Sequence, residues 1–99
     1  MDERREEERK NITLEVRWDG GSGRQSARIS DLSMGGCYLD TFGEVEVGDI
    51  VGLEIKMPGG DWLALRGTVA FHQRGLGFSV CFTYLTEEEQ EKLSQLIDS

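Results

Sequence analysis

Between Ile12 and Phe82 the apolar residues of this chain recur at every second position in short stretches, and glycine-rich breaks separate the stretches. Alternation at period two puts successive side chains on opposite faces of an extended backbone, so each stretch reads as a strand with one buried side. In ITLEVRW, Ile12, Leu14, Val16 and Trp18 share one face, while Thr13, Glu15 and Arg17 share the other. DGGSG, Asp19 to Gly23, is a hairpin connection, because glycine supplies the positive φ such turns require. RQSARISDL and GCYLD come next as the second and third strands. After a loop punctuated by Gly43 and Gly48-Asp49, IVGLEIKM sets Val51, Leu53, Ile55 and Met57 on one side. PGGD, Pro58 to Asp61, is another turn. WLALRGTVAF then groups Leu63, Leu65, Gly67, Val69 and Phe71, and LGFSVCF groups Phe78, Val80 and Phe82 after the turn at Gly75.

Six short strands joined by glycine turns predict an all-β fold, a closed antiparallel barrel or a sandwich; a six-stranded antiparallel β-barrel is favoured because an open sheet this small would expose its edges. The last segment breaks the period. TEEEQEKLSQLIDS opens with Thr86 and Glu89 at the spacing of a capping box, Glu87 and Glu88 suit the positive end of a helix dipole, and Leu93, Leu96 and Ile97 form one apolar stripe. The predicted organisation is one domain: a flexible N-terminal arm over 1–11, a barrel over 12–85, and a C-terminal helix over 86–99 that packs on the barrel.

The formal net charge of -8 argues against DNA or RNA as partners, because neutralising phosphate drives that binding, and against anionic membrane surfaces. No apolar run approaches the length that spans a bilayer, so no membrane insertion is expected, and the charged start lacks the features of a secretory signal; a cytoplasmic location is expected. Cys37 and Cys81 have no metal-ligand spacing and are expected as packing thiols. His72 is the one histidine and reads as a strand-end residue; without a catalytic or metal-binding constellation the chain does not read as an enzyme. Trp18 reads as core. Trp62 opens a strand and reads as core or rim packing, although an aromatic face could also hold a base. What the charge leaves open is a small anion held by a few local arginines.

Two spaced motifs point there. Arg5 and Arg9 form R-x-x-x-R ahead of the first strand, and Asp31, Ser33 and Gly36 form D-x-S-x-x-G where the second strand ends. Either alone is ordinary: RREEERK can be a solvated tail, and DLSMGG can be a turn in which Asp31 and Ser33 bond nearby backbone while Gly35 or Gly36 supplies left-handed backbone. In this order, on an all-β chain, they resemble the signature of the PilZ domain, a bacterial receptor for the second messenger cyclic di-GMP. The likeness extends through ITLEVRW, ARISDLSMGGCYL, VGDIVGLEIKMPGGDWLALRGTVAF and GLGFSVCFTYLTEEEQEKLSQLI. It implies a PilZ-like barrel and a nucleotide-binding site made by Arg4, Arg5, Arg9, Asp31, Ser33, Gly35 and Gly36, with no further cofactor. Arg5 and Arg9 would be the principal contacts, since guanidinium forks pair with phosphate and with guanine O6 and N7. Asp31 and Ser33 would bond guanine edges, and Gly36 would let the backbone approach closely. An arginine at the place of Arg4 is associated in the family with an intercalated ligand dimer. The resemblance further implies that the ligand orders the arm over the turn and that the complex signals to a separate effector protein, in motility or biofilm regulation. Glu6, Glu7 and Glu8 depart from the family, which more often has mixed polar, aromatic or proline residues there. They leave a second reading, a PilZ-like adaptor that binds proteins and no nucleotide.

Overall fold

The computed structural model describes residues 13–20 and 23–98. The arm over 1–11 and the place of Ile12 lie outside the described residues. The elements come in the order β1 (Leu14–Asp19), β2 (Arg24–Leu32), β3 (Gly36–Asp40), β4 (Ile50–Lys56), β5 (Trp62–Gln73), β6 (Gly77–Phe82) and α1 (Glu87–Asp98). The strands close into one antiparallel barrel with neighbours β1-β2-β3-β6-β5-β4. Closure comes from two pairings distant in sequence, β3 with β6 and β1 with β4, so each strand's backbone groups have partners on both sides.

The alternation does what period two requires. Val16, Trp18, Val51, Leu53, Ile55, Leu63, Leu65, Val69, Phe78 and Val80 all point inward and are buried. Trp18 is the largest of them; Phe78 meets its ring edge-on with centroids 5.0 Å apart. Gly43 closes over Trp18: a Cβ there would overlap the indole. The turn at Gly75 joins β5 to β6, with the Leu76 N–H bonded to the Gln73 carbonyl and Gly75 at φ 81°, a conformation side chains resist.

Two register breaks interrupt the alternation, one in β2 between Ile29 and Asp31 and one in β5 between Val69 and Phe71. A bulge adds one residue to a strand and so reverses the facing of the residues after it. In β2 it lets Ile29 and Leu32, three positions apart, both enter the core, and it turns Asp31 outward. In β5 it corrects the expected face. Phe71 does not join Leu63, Leu65 and Val69 inside but stands 54% exposed, opposite the outward-facing Ser79.

The helix begins where the capping box predicts. The Glu89 N–H donates to Thr86 Oγ1 at 3.1 Å, and the Thr86 N–H donates back to Glu89 Oε1 at 3.0 Å. Leu93, Leu96 and Ile97 are buried with the core residues, and Arg66 of β5 ties the helix start to the barrel by donating to the Tyr84 carbonyl and to Glu89 Oε1. No helix among the described residues is long and apolar enough to cross a membrane.

Candidate functional site

The D-x-S-x-x-G segment is a tight connection between β2 and β3. The Ser33 N–H donates to the Gly36 carbonyl at 2.9 Å, and its hydroxyl accepts from the Gly35 N–H at 3.2 Å and donates to the Gly36 carbonyl at 3.4 Å. The Phe82 N–H in turn donates to the Gly35 carbonyl at 2.9 Å, pinning the connection to the end of β6. Ser33 is the one buried polar side chain among the described residues, at 1% exposure, and burial is tolerable because its hydroxyl is bonded within the turn. Its observed work is to shape the loop.

Gly36 also has an observed reason. It faces Cys81 across the β3–β6 ladder, and a Cβ on it would overlap the carbonyl oxygen of Val80. The expectation of left-handed backbone at Gly35 or Gly36 is not met: the positive-φ glycines among the described residues are Gly23, Gly48, Gly60, Gly75 and Gly77. What the motif needs at Gly36 is close strand packing rather than a reversed turn.

Asp31, Ser33, Gly35 and Gly36 line one groove of about 520 Å³, a volume within the range of small-ligand sites. The structure thus brings four of the sequence-predicted residues together; Arg4, Arg5 and Arg9 lie outside the described residues. The opposite wall holds Tyr38, Ser79 and Cys81, none of which the motifs name. Tyr38 sits between Asp31 and Ser79 in register, and its hydroxyl donates to Gln73 Oε1 at 2.8 Å. Burial, with Asp40 nearby, pushes the Tyr38 pKa above the ordinary tyrosine value. Alternation in LGFSVCF does tell that Ser79 and Cys81 face away from Phe78 and Val80. That β6 lies beside β3 is a long-range pairing no local pattern reveals. Cys81 corrects a second expectation: Cys37 is a buried packing thiol, but Cys81 is exposed on the outer face.

Trp62 and His72 are not in the groove. Trp62 lies on the outer surface beneath Arg17, whose guanidinium carbon is 3.8 Å from the ring centroid, and His72 packs edge-on to Phe78. No group of three or more His, Cys, Asp or Glu side chains among the described residues is placed to hold a metal ion.

A barrel of this strand order, with a groove built on D-x-S-x-x-G, agrees with comparison to known proteins: the profile of the PilZ domain matches residues 3–99. The chain belongs to the PilZ domain family. Among solved structures, this PilZ domain is similar to the Bacillus subtilis inhibitor of motility MotI/DgrA, with a TM-score of 0.79 and 17% identity over 98% of this chain and 51% of that one. It is also similar to the PilZ domain of CeSA from a cellulose-synthesizing bacterium, with a TM-score of 0.72 and 20% identity over 91% of this chain and 94% of that one. At these identities the likeness is one of fold, and the chain spans about half the length of MotI/DgrA. No curated protein matches it in sequence.

Proposed function

We propose that this PilZ domain is a receptor for cyclic di-GMP. The observation that carries the reading is the position of the motif groove at the end of the barrel where the chain enters β1. Leu14, the first residue of β1, pairs with Ile29, and β2 runs on from there to Asp31 and the groove. Arg9 precedes Leu14 by five residues, about 17 Å of extended chain. The R-x-x-x-R pair is therefore tethered within reach of D-x-S-x-x-G.

In this reading Arg5 and Arg9 bind phosphate and guanine through their fork geometry, each charge-assisted bond contributing roughly 1.5–3 kcal/mol. The Asp31 carboxylate accepts from the N–H groups on a guanine edge. Ser33 and Gly35 hold the loop, and a guanine contact by Ser33 would re-aim its hydroxyl away from Gly36. Arg4 extends the arginine set toward a second, intercalated nucleotide. Binding orders the arm over the groove, and a separate effector protein in the cytoplasm reads the new surface. The names of the two structural neighbours, an inhibitor of motility and a domain of CeSA from a cellulose-synthesizing bacterium, support motility or biofilm matrix as the setting.

Calorimetric titration with cyclic di-GMP tests this, on the wild type and on Arg5→Ala, Arg9→Ala and Asp31→Ala. Micromolar or tighter binding, lost or strongly weakened in each variant, is the expected result. Absence of binding heat and of any NMR shift at groove residues under saturating nucleotide would overturn the receptor reading and leave the protein-binding adaptor that Glu6–Glu8 favour.

A further inference from the structure

Two rows of cross-strand neighbours lead away from the motif across the outside of the barrel. One runs Gly36, Cys81, Thr68, Ile50 over β3, β6, β5 and β4; the other runs Asp31, Tyr38, Ser79, Phe71 over β2, β3, β6 and β5. Beyond Asp31 neither row holds a charged residue, in a chain where 30% of residues are charged. The far ends are apolar and open to solvent, Ile50 at 76% and Phe71 at 54% exposure. Ile50 faces outward by the regular alternation of β4, whose Val51, Leu53 and Ile55 take the inner side, but Phe71 does not follow alternation. Continued alternation from Val69 would send Phe71 into the core, and only the bulge holds it outside, at the cost of a large buried side chain. Bulges re-aim side chains for use, and both ends of the second row, Asp31 and Phe71, face outward because of one.

The border of this face is acidic. Asp49 adjoins Ile50, and Asp49 Oδ2 accepts from the backbone N–H of the exposed Glu46. At the other edge the next outward residue of β5 after Thr68 is Arg66, already bound to Glu89 at 3.2 Å, with Glu87 and Glu88 beside it at the start of α1. Arg74, in the turn between β5 and β6, is paired with Glu44 at 3.7 Å. An uncharged centre within a carboxylate rim complements a partner of opposite design, and the net charge of -8 opposes pairing with a second copy.

We propose that the outer face of β5 and β6, bounded by Ile50 and Phe71, docks the effector: a protein surface with exposed apolar side chains ringed by lysine or arginine. Ser79 and Cys81 of β6 belong to both this face and the groove lining, with Tyr38 of β3 beside them, so a nucleotide in the groove forms one edge of the docking surface. That coupling rests on the receptor reading; the docking face itself does not.

The test places benzoylphenylalanine in place of Ile50, and in a control in place of Ala64, which lies elsewhere on β5 beside Glu54. Irradiation in cells of the source organism is followed by purification of the captured protein and calorimetry against uncross-linked full chain. Expected is capture from position 50 and not from 64, and a complex that weakens as salt rises. Ile50→Glu and Phe71→Glu should each weaken that complex at least tenfold, with Phe71→Ser as a milder variant and melting curves confirming the fold. Affinity for cyclic di-GMP should stay within twofold in all three. Equal capture from both positions, no capture from position 50, or a complex indifferent to both face variants would overturn the docking face. So would a wild-type dimer in sedimentation velocity that Ile50→Glu dissolves, since the face would then belong to a second copy. Failure of the receptor reading looks different: no binding of cyclic di-GMP, with the captured protein still sensitive to Phe71→Glu.

Discussion

Gly36 lies against the carbonyl oxygen of Val80 so closely that no side chain fits between β3 and β6. The motif glycine therefore closes the barrel at the mouth of the groove, and the groove's two walls are held in place by that contact. Gly36→Ala is expected to destabilise the fold by about 1–3 kcal/mol, the range for forcing a methyl group into a packed site, lowering Tm by several degrees per kcal/mol in a domain this small. Thermal unfolding without nucleotide checks it. An unchanged Tm would show that the strands separate freely here, and Gly36 would then act on the ligand alone.

That dual role separates what is legible in the residues from what is not. Strands β2 and β3 coincide with RQSARISDL and GCYLD, and the helix cap sits on Thr86 and Glu89, because these arise from local periodicity and spacing. Phe71 escapes the alternation because a bulge is a tertiary device: nothing in TVAF distinguishes a regular strand from one carrying an extra residue. The motif half of the groove is legible as a loop signature. Its other wall is not, since Ser79 and Cys81 come beside Gly36 and Tyr38 only through the β3–β6 pairing that closes the barrel.

The glutamates between the arginines are expected to tune affinity rather than decide it. A unit charge 5–10 Å from a phosphate in water is opposed by roughly 0.4–0.8 kcal/mol, and screening at physiological salt reduces this further. Replacing Glu6, Glu7 and Glu8 together by glutamine should tighten cyclic di-GMP binding by roughly tenfold at low salt and by only about two- to fivefold at physiological salt. A gain of orders of magnitude would mean that the carboxylates sit against the ligand.

The two thiols should differ sharply in reactivity. Both residues line the groove, but Cys81 is exposed while Cys37 is buried with the core, across the ladder from the buried Val80. Iodoacetamide should therefore label Cys81 in the native protein and reach Cys37 only on unfolding, as peptide mass spectrometry would reveal. If the groove holds the nucleotide, saturating cyclic di-GMP should slow labelling of Cys81 several-fold. Unchanged kinetics at a concentration that saturates by calorimetry would place the ligand elsewhere.

The junction of helix and barrel carries a pH signature. The backbone N–H of Thr86, bonded to the Glu89 carboxylate, lowers the Glu89 pKa, and Arg66 adds to the effect against an opposing contribution from burial. A carboxyl whose pKa is depressed by folding stabilises the fold above its unfolded pKa and loses that contribution as pH falls through the folded value. Glu89→Gln should therefore be less stable than wild type at pH 7, and the gap should close as pH falls below the ordinary glutamate range and through the depressed folded value. Thr86→Ala removes the other half of the box and should cost about 0.5–2 kcal/mol, a loss that persists at low pH because the hydroxyl does not titrate. Urea unfolding of the three proteins at pH 7, 5 and 3.5 separates the cases. A Glu89→Gln deficit that stays constant across that range would show that the carboxylate's charge contributes nothing and that the pairing with Arg66 is a surface contact without consequence.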